Sequence, residues 1–183
     1  MKRSKKFVFI PACLIAQAIR AKGIVKKYPA IVSPILELFN KYQINLIQMP
    51  CPEIKYKGLI REPCGKGKYD NPEYRKICRE IAKDVVNSIK EIKGAGYEVI
   101  AILGIEYSPS CAVNYLWEGK LKKGKGIFIE ELEKELEENK IEIKILGINI
   151  QKIKKTLKEL ESFLRSFYGL NLKDLMSFMH SLQ

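Results

Sequence analysis

Segments with strand character alternate with segments with helix character along the whole chain. The predicted strand 97–105 is apolar without interruption from residue 99 onward, which is typical of a strand buried on both faces of a sheet. Shorter apolar runs predict three further strands, at 7–12, 44–49 and 141–150. Apolar residues at three- and four-residue spacing predict helices within 28–42 and at 72–93, 128–138, 151–168 and 172–181. Ser33 is the expected N-cap of the first helix, and Pro34 its first residue.

This order of elements defines the expected fold. Strands that are joined through helices lie parallel, with right-handed crossovers and helices on both faces. We therefore expect a three-layer α/β protein with a mostly parallel, Rossmann-like sheet, followed by C-terminal helices. Residues 1–150 are expected to form the α/β domain, and residues 151–183 a helical extension packed on it. Two long loops, 50–70 and 106–125, interrupt the pattern.

The composition excludes several classes of protein. The chain has 46% hydrophobic and 30% charged residues, enough apolar mass for a full core. Its single histidine, His180, makes a serine–histidine–aspartate triad or a histidine-rich zinc site implausible. No apolar run is long enough to cross a bilayer. The basic, then apolar N-terminus imitates a secretion signal, but Pro11 breaks it and the five cysteines are an odd number. We expect a cytoplasmic protein.

Positive charge is concentrated in the first third of the chain. The net charge is +12, and residues 1–68 alone carry 14 basic and 3 acidic side chains. Such a field favours a polyanion or an anionic small molecule. Abundant lysine is also typical of thermophiles, which explains the number of lysines but not the shortage of acids in this segment.

Three cysteines follow three predicted strands directly. Cys13, Cys51 and Cys111 each lie just beyond a strand, at the edge of the sheet where ligands gather in parallel α/β folds. A structural zinc site would normally use four ligands and local Cys-x-x-Cys pairs, and a disulfide would leave one cysteine over. An iron–sulfur cluster takes thiolates from separate loops. Buried core cysteines are the alternative, which we expect for Cys78; Cys64 is a fourth ligand, a sulfur relay or a bystander.

The segments around these cysteines resemble the thiouracil desulfidase family. The matching motifs are Ala12-Cys13-Leu14-Ile15, Cys51-Pro52-Glu53 and Ser108-Pro109-Ser110-Cys111. The segment 68–75, followed by Cys78-Arg79, is similar to an archaeal and clostridial branch of that family, and the resemblance covers residues 7–150. It implies a [4Fe-4S] cluster held by Cys13, Cys51 and Cys111 with one iron left open. It also implies non-redox replacement of a thiocarbonyl sulfur by oxygen, with Glu53 and Ser108, then Ser110, in catalysis.

The residues themselves leave alternatives for these roles. Glu53 lies two positions from a cysteine and could act as a general acid or base, or could be an ordinary loop carboxylate paired with Lys55 or Lys57. A serine hydroxyl could orient substrate or water, or belong to a turn beside Pro109.

The chain departs from the family pattern after the first cysteine. Arg20-Ala21-Lys22-Gly23 stands where the family has roughly Arg-Tyr-Asp-Gly, and Ala16 and Ala112 replace glycines. Arg20, Lys22 and Cys64 are candidate substrate contacts. A lysine-rich rim on the loops suits a thionucleotide or thiolated tRNA, or a solvated surface; its members are Lys22, Lys26, Lys27, Lys55, Lys57, Arg61, Lys66 and Lys68.

The sequence supports two main functional interpretations. The first is an iron–sulfur-dependent desulfidase acting on thiouracil, a thionucleoside or thiolated tRNA, as a monomer or homodimer. The second is a non-catalytic iron–sulfur or RNA-binding protein in sulfur trafficking. A structural protein with inert cysteines is the third possibility.

Overall fold

The sheet has four parallel strands, as the alternating pattern predicts. The computed structural model describes residues 3–169. The strands of this sheet stand in the order β2-β1-β3-β6, and each is parallel to its neighbours. In chain order the strands are β1 Lys6–Pro11, β2 Asn45–Met49, β3 Glu98–Ile105, β4 Tyr115–Trp117, β5 Leu121–Lys123 and β6 Ile145–Ile148. The predicted strand 141–150 is too long, because only its central residues pair with β3.

Helices cover both faces of this sheet, which confirms the three-layer α/β prediction. In chain order the α-helices of the described residues are α1 Ser33–Lys41, α2 Pro52–Lys57, α3 Pro72–Gly94, α4 Ile127–Glu138 and α5 Ile153–Tyr168. Alternate residues of β1 face opposite layers. Val8 and Ile10 pack with α1 and α5 in one core, whereas Phe9 packs with α3 and α4 in the other.

The starts of the helices differ in part from the prediction. Ser33 is the first residue of α1 rather than its cap, because Val32 occupies the cap position without a side-chain hydrogen bond. Asn71 caps α3 by accepting a hydrogen bond from the backbone N–H of Tyr74 at 2.9 Å. Cys78 lies on the buried face of α3 with 0% exposure, as expected for a core cysteine.

The two predicted loops contain short elements that the sequence pattern does not reveal. Segment 50–70 holds α2, and segment 106–125 holds the antiparallel hairpin of β4 and β5. Elements of three to six residues are too short to show a period. Their position matters, because both segments lie beyond the carboxyl ends of sheet strands.

The C-terminal part of the chain is described as far as α5. This helix packs in the same core as α1 and the sheet. The predicted helix 172–181 lies outside the described residues, and the division of the chain at residue 150 stays a prediction. Within residues 3–169, no helix is long and apolar enough to cross a membrane.

Candidate active site

Three cysteines converge beyond the carboxyl ends of three adjacent strands. Cys13 follows β1 in a short 3-10 turn, Cys51 caps α2 after β2, and Cys111 lies in the loop after β3. Strand β1 stands between β2 and β3, so the chain reverses its direction of winding at this point, where parallel sheets open a crevice. All three cysteines are half-buried.

The three thiols lie close enough for their charges to interact, and burial raises the pKa of each. Burial raises the pKa of Cys13 to about 12, Arg20 acts to lower it, and Cys51 adds to the rise. Burial, then Cys51 and Cys13, raise the pKa of Cys111 well above its ordinary value. Burial and the Glu53 carboxylate likewise raise the pKa of Cys51, against the lowering effect of nearby backbone N–H groups. The three groups therefore ionise together only when a cationic partner compensates their charge.

The Cys111 loop is fixed by the backbone of the sheet. The backbone carbonyl of Cys111 accepts a hydrogen bond from Ile105 N at 2.8 Å. The Ser108 hydroxyl accepts the backbone N–H groups of Cys111 at 3.0 Å and of Ser110 at 3.2 Å. A Cβ on Gly104 would stand 2.3 Å from the Cys111 carbonyl oxygen, so only glycine permits this approach. The cysteine is thus held in place before any ligand binds.

A buried carboxylate, Glu53, lies at the centre of a hydrogen-bond network beside the cysteines. One of its oxygens, Oε1, accepts the hydroxyls of Ser110 at 2.9 Å and Ser108 at 3.3 Å. The other, Oε2, accepts Arg61 Nε at 3.1 Å and the Tyr69 hydroxyl at 3.4 Å. Glu53 is 9% exposed. The alternative pairing with Lys55 or Lys57 is wrong, because the partner is Arg61.

Arg61 also ties the two loops of the site together. Its Nη1 donates to the Ile19 carbonyl at 2.8 Å, and its own carbonyl accepts Lys22 N at 3.0 Å. Burial acts to lower the pKa of Arg61, but the adjacent Glu53 carboxylate outweighs it and the pKa is raised. The residue is 7% exposed, so it is a buried ion-pair partner and not part of a solvated rim.

A layer of tyrosines backs the network. The rings of Tyr69 and Tyr74 lie 4.7 Å apart, and Tyr56 packs against both. The hydroxyls of Tyr74 and Ser110 are 2.5 Å apart. Ser110 has one hydrogen and donates it to Glu53, so Tyr74 is the donor to Ser110. Burial raises the pKa of Tyr74 well above its ordinary value, which keeps this donor protonated.

The three candidate substrate contacts occupy different environments. Arg20 is half-buried and close enough to Cys13 to lower its pKa. Lys22 is exposed and pairs with Glu62 at 3.2 Å. Cys64 is half-buried, with Lys57 Nζ at 3.8 Å from its Sγ, and it lies within hydrogen-bonding reach of the Tyr69 hydroxyl.

The donor set determines which metal group the site suits. In the described part of the chain, no three His, Cys, Asp or Glu side chains are placed to hold a single metal ion. In a cubane cluster each thiolate binds a different iron, so its three ligands need not meet at one point. Three soft thiolates from three loops, with no histidine beside them, match that requirement.

Sequence reasoning missed three members of this network. Tyr69 and Tyr74 belong to the segment 68–75 that carries part of the family resemblance, but neither was predicted to act in the site. Arg61 was predicted to belong to the basic rim. One feature of the sequence could have indicated a buried role for Arg61: it is one of 6 arginines in a chain with 27 lysines. Arginine is the cation that proteins use in buried carboxylate pairs.

The fold and the site define an α/β protein with a cysteine-lined crevice and a buried carboxylate at the carboxyl ends of its strands. The chain belongs to the family of uncharacterized protein MJ0003 of Methanocaldococcus jannaschii, with 33% identity over 133 residues, 72% of this chain and 80% of the relative. No family model matches it.

One solved structure with a similar course of the chain is a [4Fe-4S]-dependent thiouracil desulfidase, TudS. The two chains are 17% identical, the match covers 87% of this chain and 99% of the other, and the TM-score is 0.47. The likeness is too weak to assign a function to this chain.

Proposed function

We propose that this protein is a [4Fe-4S]-dependent desulfidase that replaces the sulfur of a thiocarbonyl compound with oxygen. The observation that supports this most directly is the convergence of Cys13, Cys51 and Cys111 beside the hydrogen-bonded carboxylate of Glu53. The sequence motifs around these residues resemble those of thiouracil desulfidases. All the residues invoked lie within the proposed domain 1–150.

Cys13, Cys51 and Cys111 would hold the cluster. When bound through three thiolates, a cubane supplies one iron with no protein ligand, a Lewis acid with affinity for sulfur. Arg20 lies near Cys13 and offsets the negative charge that ionised thiolates bring to the site.

Glu53 and Ser108 are the groups of this chain that would act on the substrate. The overall reaction consumes water: the C=S bond breaks, a C=O bond forms, and sulfur leaves as hydrogen sulfide with no net oxidation or reduction. Glu53 accepts a proton from the attacking water. Arg61 holds its carboxylate in place from one side. Ser108 is half-buried, and its hydrogen bond to Glu53 Oε1 is long at 3.3 Å, so this hydroxyl turns its hydrogen to the water or the substrate when one is bound.

Ser110 and the tyrosines have a positioning role in this proposal. Ser110 is 0% exposed, so its hydroxyl has no access to a bound substrate. It fixes Glu53 Oε1, and Tyr74 fixes Ser110 in turn. This difference in exposure supports the choice of Ser108, rather than Ser110, as the serine that contacts the substrate.

The substrate is proposed to be a small thio-compound such as thiouracil or a thionucleoside. Arg20 is the stronger candidate for a contact to substrate, because Lys22 is held at the surface by Glu62. Cys64 adjoins the network through Tyr69, and on this ground we assign it to the surroundings of the site rather than to the cluster ligands.

Anaerobic assays of sulfide release test this proposal. Reconstituted protein is expected to release sulfide from 2-thiouracil or 4-thiouridine and to form uracil or uridine in equal amount. Ser108→Ala is expected to slow the release of sulfide per bound cluster. Iron is measured in the same sample, because the Ser108 hydroxyl also accepts the backbone N–H of Cys111. A protein that carries its full cluster and releases no sulfide from either compound would instead support the non-catalytic iron–sulfur interpretation.

A further inference from the structure

The hairpin of β4 and β5 presents an apolar face to solvent. Tyr115, Trp117 and Leu121 are 44%, 57% and 54% exposed. Tyr115 pairs across the hairpin with Lys123, and Trp117 pairs with Leu121, so these four side chains share one face. Leu116 lies on the other face and is buried against the body of the protein.

Positive charge surrounds this face. Residues 115–125 contain four lysines and one glutamate. Lys122 pairs with Glu118 at 3.7 Å and Lys125 pairs with Glu133 at 2.7 Å. Among the residues that the structure describes, no carboxylate stands within ion-pair distance of Lys120 or Lys123. Lys123 stands opposite Tyr115, and Lys120 lies in the connection between the two strands. These two cations of the hairpin therefore have no carboxylate partner in the described residues.

The hairpin is fastened to the sheet and to the active-site loop. Tyr107 N donates to the Tyr115 carbonyl at 2.8 Å, immediately before Ser108 in the chain. The Glu106 carboxylate, 8% exposed, accepts the backbone N–H groups of Asn114 at 3.2 Å and Tyr115 at 2.9 Å. Such anchoring holds the aromatic face in one orientation, so little conformational freedom is lost when a partner binds.

We propose that this hairpin face binds single-stranded RNA, with bases stacked on Trp117 and Tyr115 and phosphates contacted by Lys120 and Lys123. Aromatic rings interleaved with unneutralised lysines are the two elements that single-strand binders combine. The charge complementarity favours a polyanion over an apolar partner, because lysine shares the face with the aromatic rings. This inference goes beyond the proposed desulfidase reaction and does not depend on it.

The single tryptophan of the chain gives a direct probe of this contact. The full-length protein, in reducing buffer, is titrated with an oligouridylate of about 12 nucleotides, within the usual range of site sizes. Stacking on Trp117 is expected to quench its fluorescence in a saturable way, since no other tryptophan contributes. Added salt is expected to weaken binding, because phosphate contacts release counterions.

Substitutions measure the contributions of base stacking and of phosphate contacts separately. With fluorescently labelled RNA, Trp117→Ala is expected to bind about 10-fold more weakly, as loss of one stacked base implies. The double variant Lys120→Glu, Lys123→Glu is expected to lower the slope of log K against log salt by about 0.7 for each lysine. The matched control is Lys154→Glu, Lys158→Glu on exposed positions of α5, which has the same change in net charge and is expected to bind like the parent.

Three results would overturn the proposal. One is the absence of saturable quenching by the oligouridylate at low salt. Another is equal loss of binding in the hairpin and α5 double variants, which would show non-specific attraction to a basic protein. The third is a shift of the Trp117 emission to shorter wavelength with vesicles of phosphatidylglycerol and phosphatidylcholine and no response to RNA, which would make the face a membrane contact. Circular dichroism of each variant checks that the fold is retained.

Discussion

Two buried glutamates, Glu53 and Glu131, illustrate how differently this protein uses the same side chain. Glu131, on α4, is 2% exposed and pairs with Arg75 at 2.8 Å, Lys134 at 3.1 Å and Arg79 at 3.3 Å. Glu53 is paired with a single cation, Arg61, and accepts three hydroxyls instead. Glu131 is therefore surrounded by charged groups, whereas most partners of Glu53 are hydroxyls that can donate or relay protons.

The difference distinguishes a structural ion pair from a chemical site. Burial acts to raise the pKa of Glu131, but hydrogen bonds from Lys134 and Arg75 outweigh it, and the pKa is lowered below 4.5. Its arginine partners, Arg75 and Arg79, join α3 to α4. The hydroxyl partners of Glu53 include two from the loop that carries Cys111, so any shift in that loop reaches the carboxylate directly.

The largest expected effect is the loss of the cluster when a ligand is removed. Cys13→Ser, Cys51→Ser and Cys111→Ser are each expected to reduce iron from about four per chain to a small fraction after anaerobic reconstitution. Iron and acid-labile sulfide are measured. The control is Cys78→Ala, since Cys78 lies buried on α3 among apolar residues. Full iron in any of the three serine variants would remove that residue from the ligand set.

The exchange of Glu53 for glutamine is the next largest effect. Glu53→Gln keeps the size of the side chain but removes its capacity to accept a proton, so the rate of sulfide release is expected to fall about 100-fold or more. The matched variant Glu131→Gln is expected to keep the parent rate per folded molecule. Equal rates in the two variants would mean that Glu53 is a structural carboxylate like Glu131.

Glu131→Gln is expected to act on stability instead. Loss of its charge-assisted hydrogen bonds should lower the free energy of unfolding by about 1–2 kcal/mol at pH 7. Because the pKa of Glu131 is lowered in the folded state, its contribution is present above pH 4.5 and is lost as the pH falls through the folded pKa. Denaturant unfolding of parent and variant should therefore differ at pH 7 and converge at a pH below the folded pKa. A difference that persists at such acid pH would contradict this assignment.

The smallest effects are expected when an arginine partner of Glu53 or of Glu131 is replaced by lysine. Arg61→Lys retains the charge but loses the planar fork that contacts both Glu53 and the Ile19 carbonyl, so we expect about 1 kcal/mol lower stability and a several-fold lower kcat. Arg79→Lys, on a side chain that is 54% exposed, should change stability by less than about 0.5 kcal/mol. A comparable loss in both variants would show that burial of Arg61 confers no special role.

Much of this architecture was predictable because it depends on period and order. The apolar run within 97–105 and the helical stripe 72–93 predict β3 and α3 almost to their ends. The positions of Cys13, Cys51 and Cys111 after strands then predict their convergence, since parallel strands end at one edge of a sheet. The short elements α2, β4 and β5 escaped prediction, because three to six residues give no periodic signal.

The sequence by itself determined the layers of the fold and the meeting of three cysteines, because both depend on local pattern and chain order. Only the tertiary structure decided the partners of Glu53. Arg61, Tyr69 and Ser110 stand 8, 16 and 57 residues from it in the chain. Contacts across such separations depend on how loops pack above the sheet, and the periodic pattern of apolar residues does not predict them. The exposed face of Trp117 was decided in the same way, because burial of Leu116 fixes which side of the hairpin points outward.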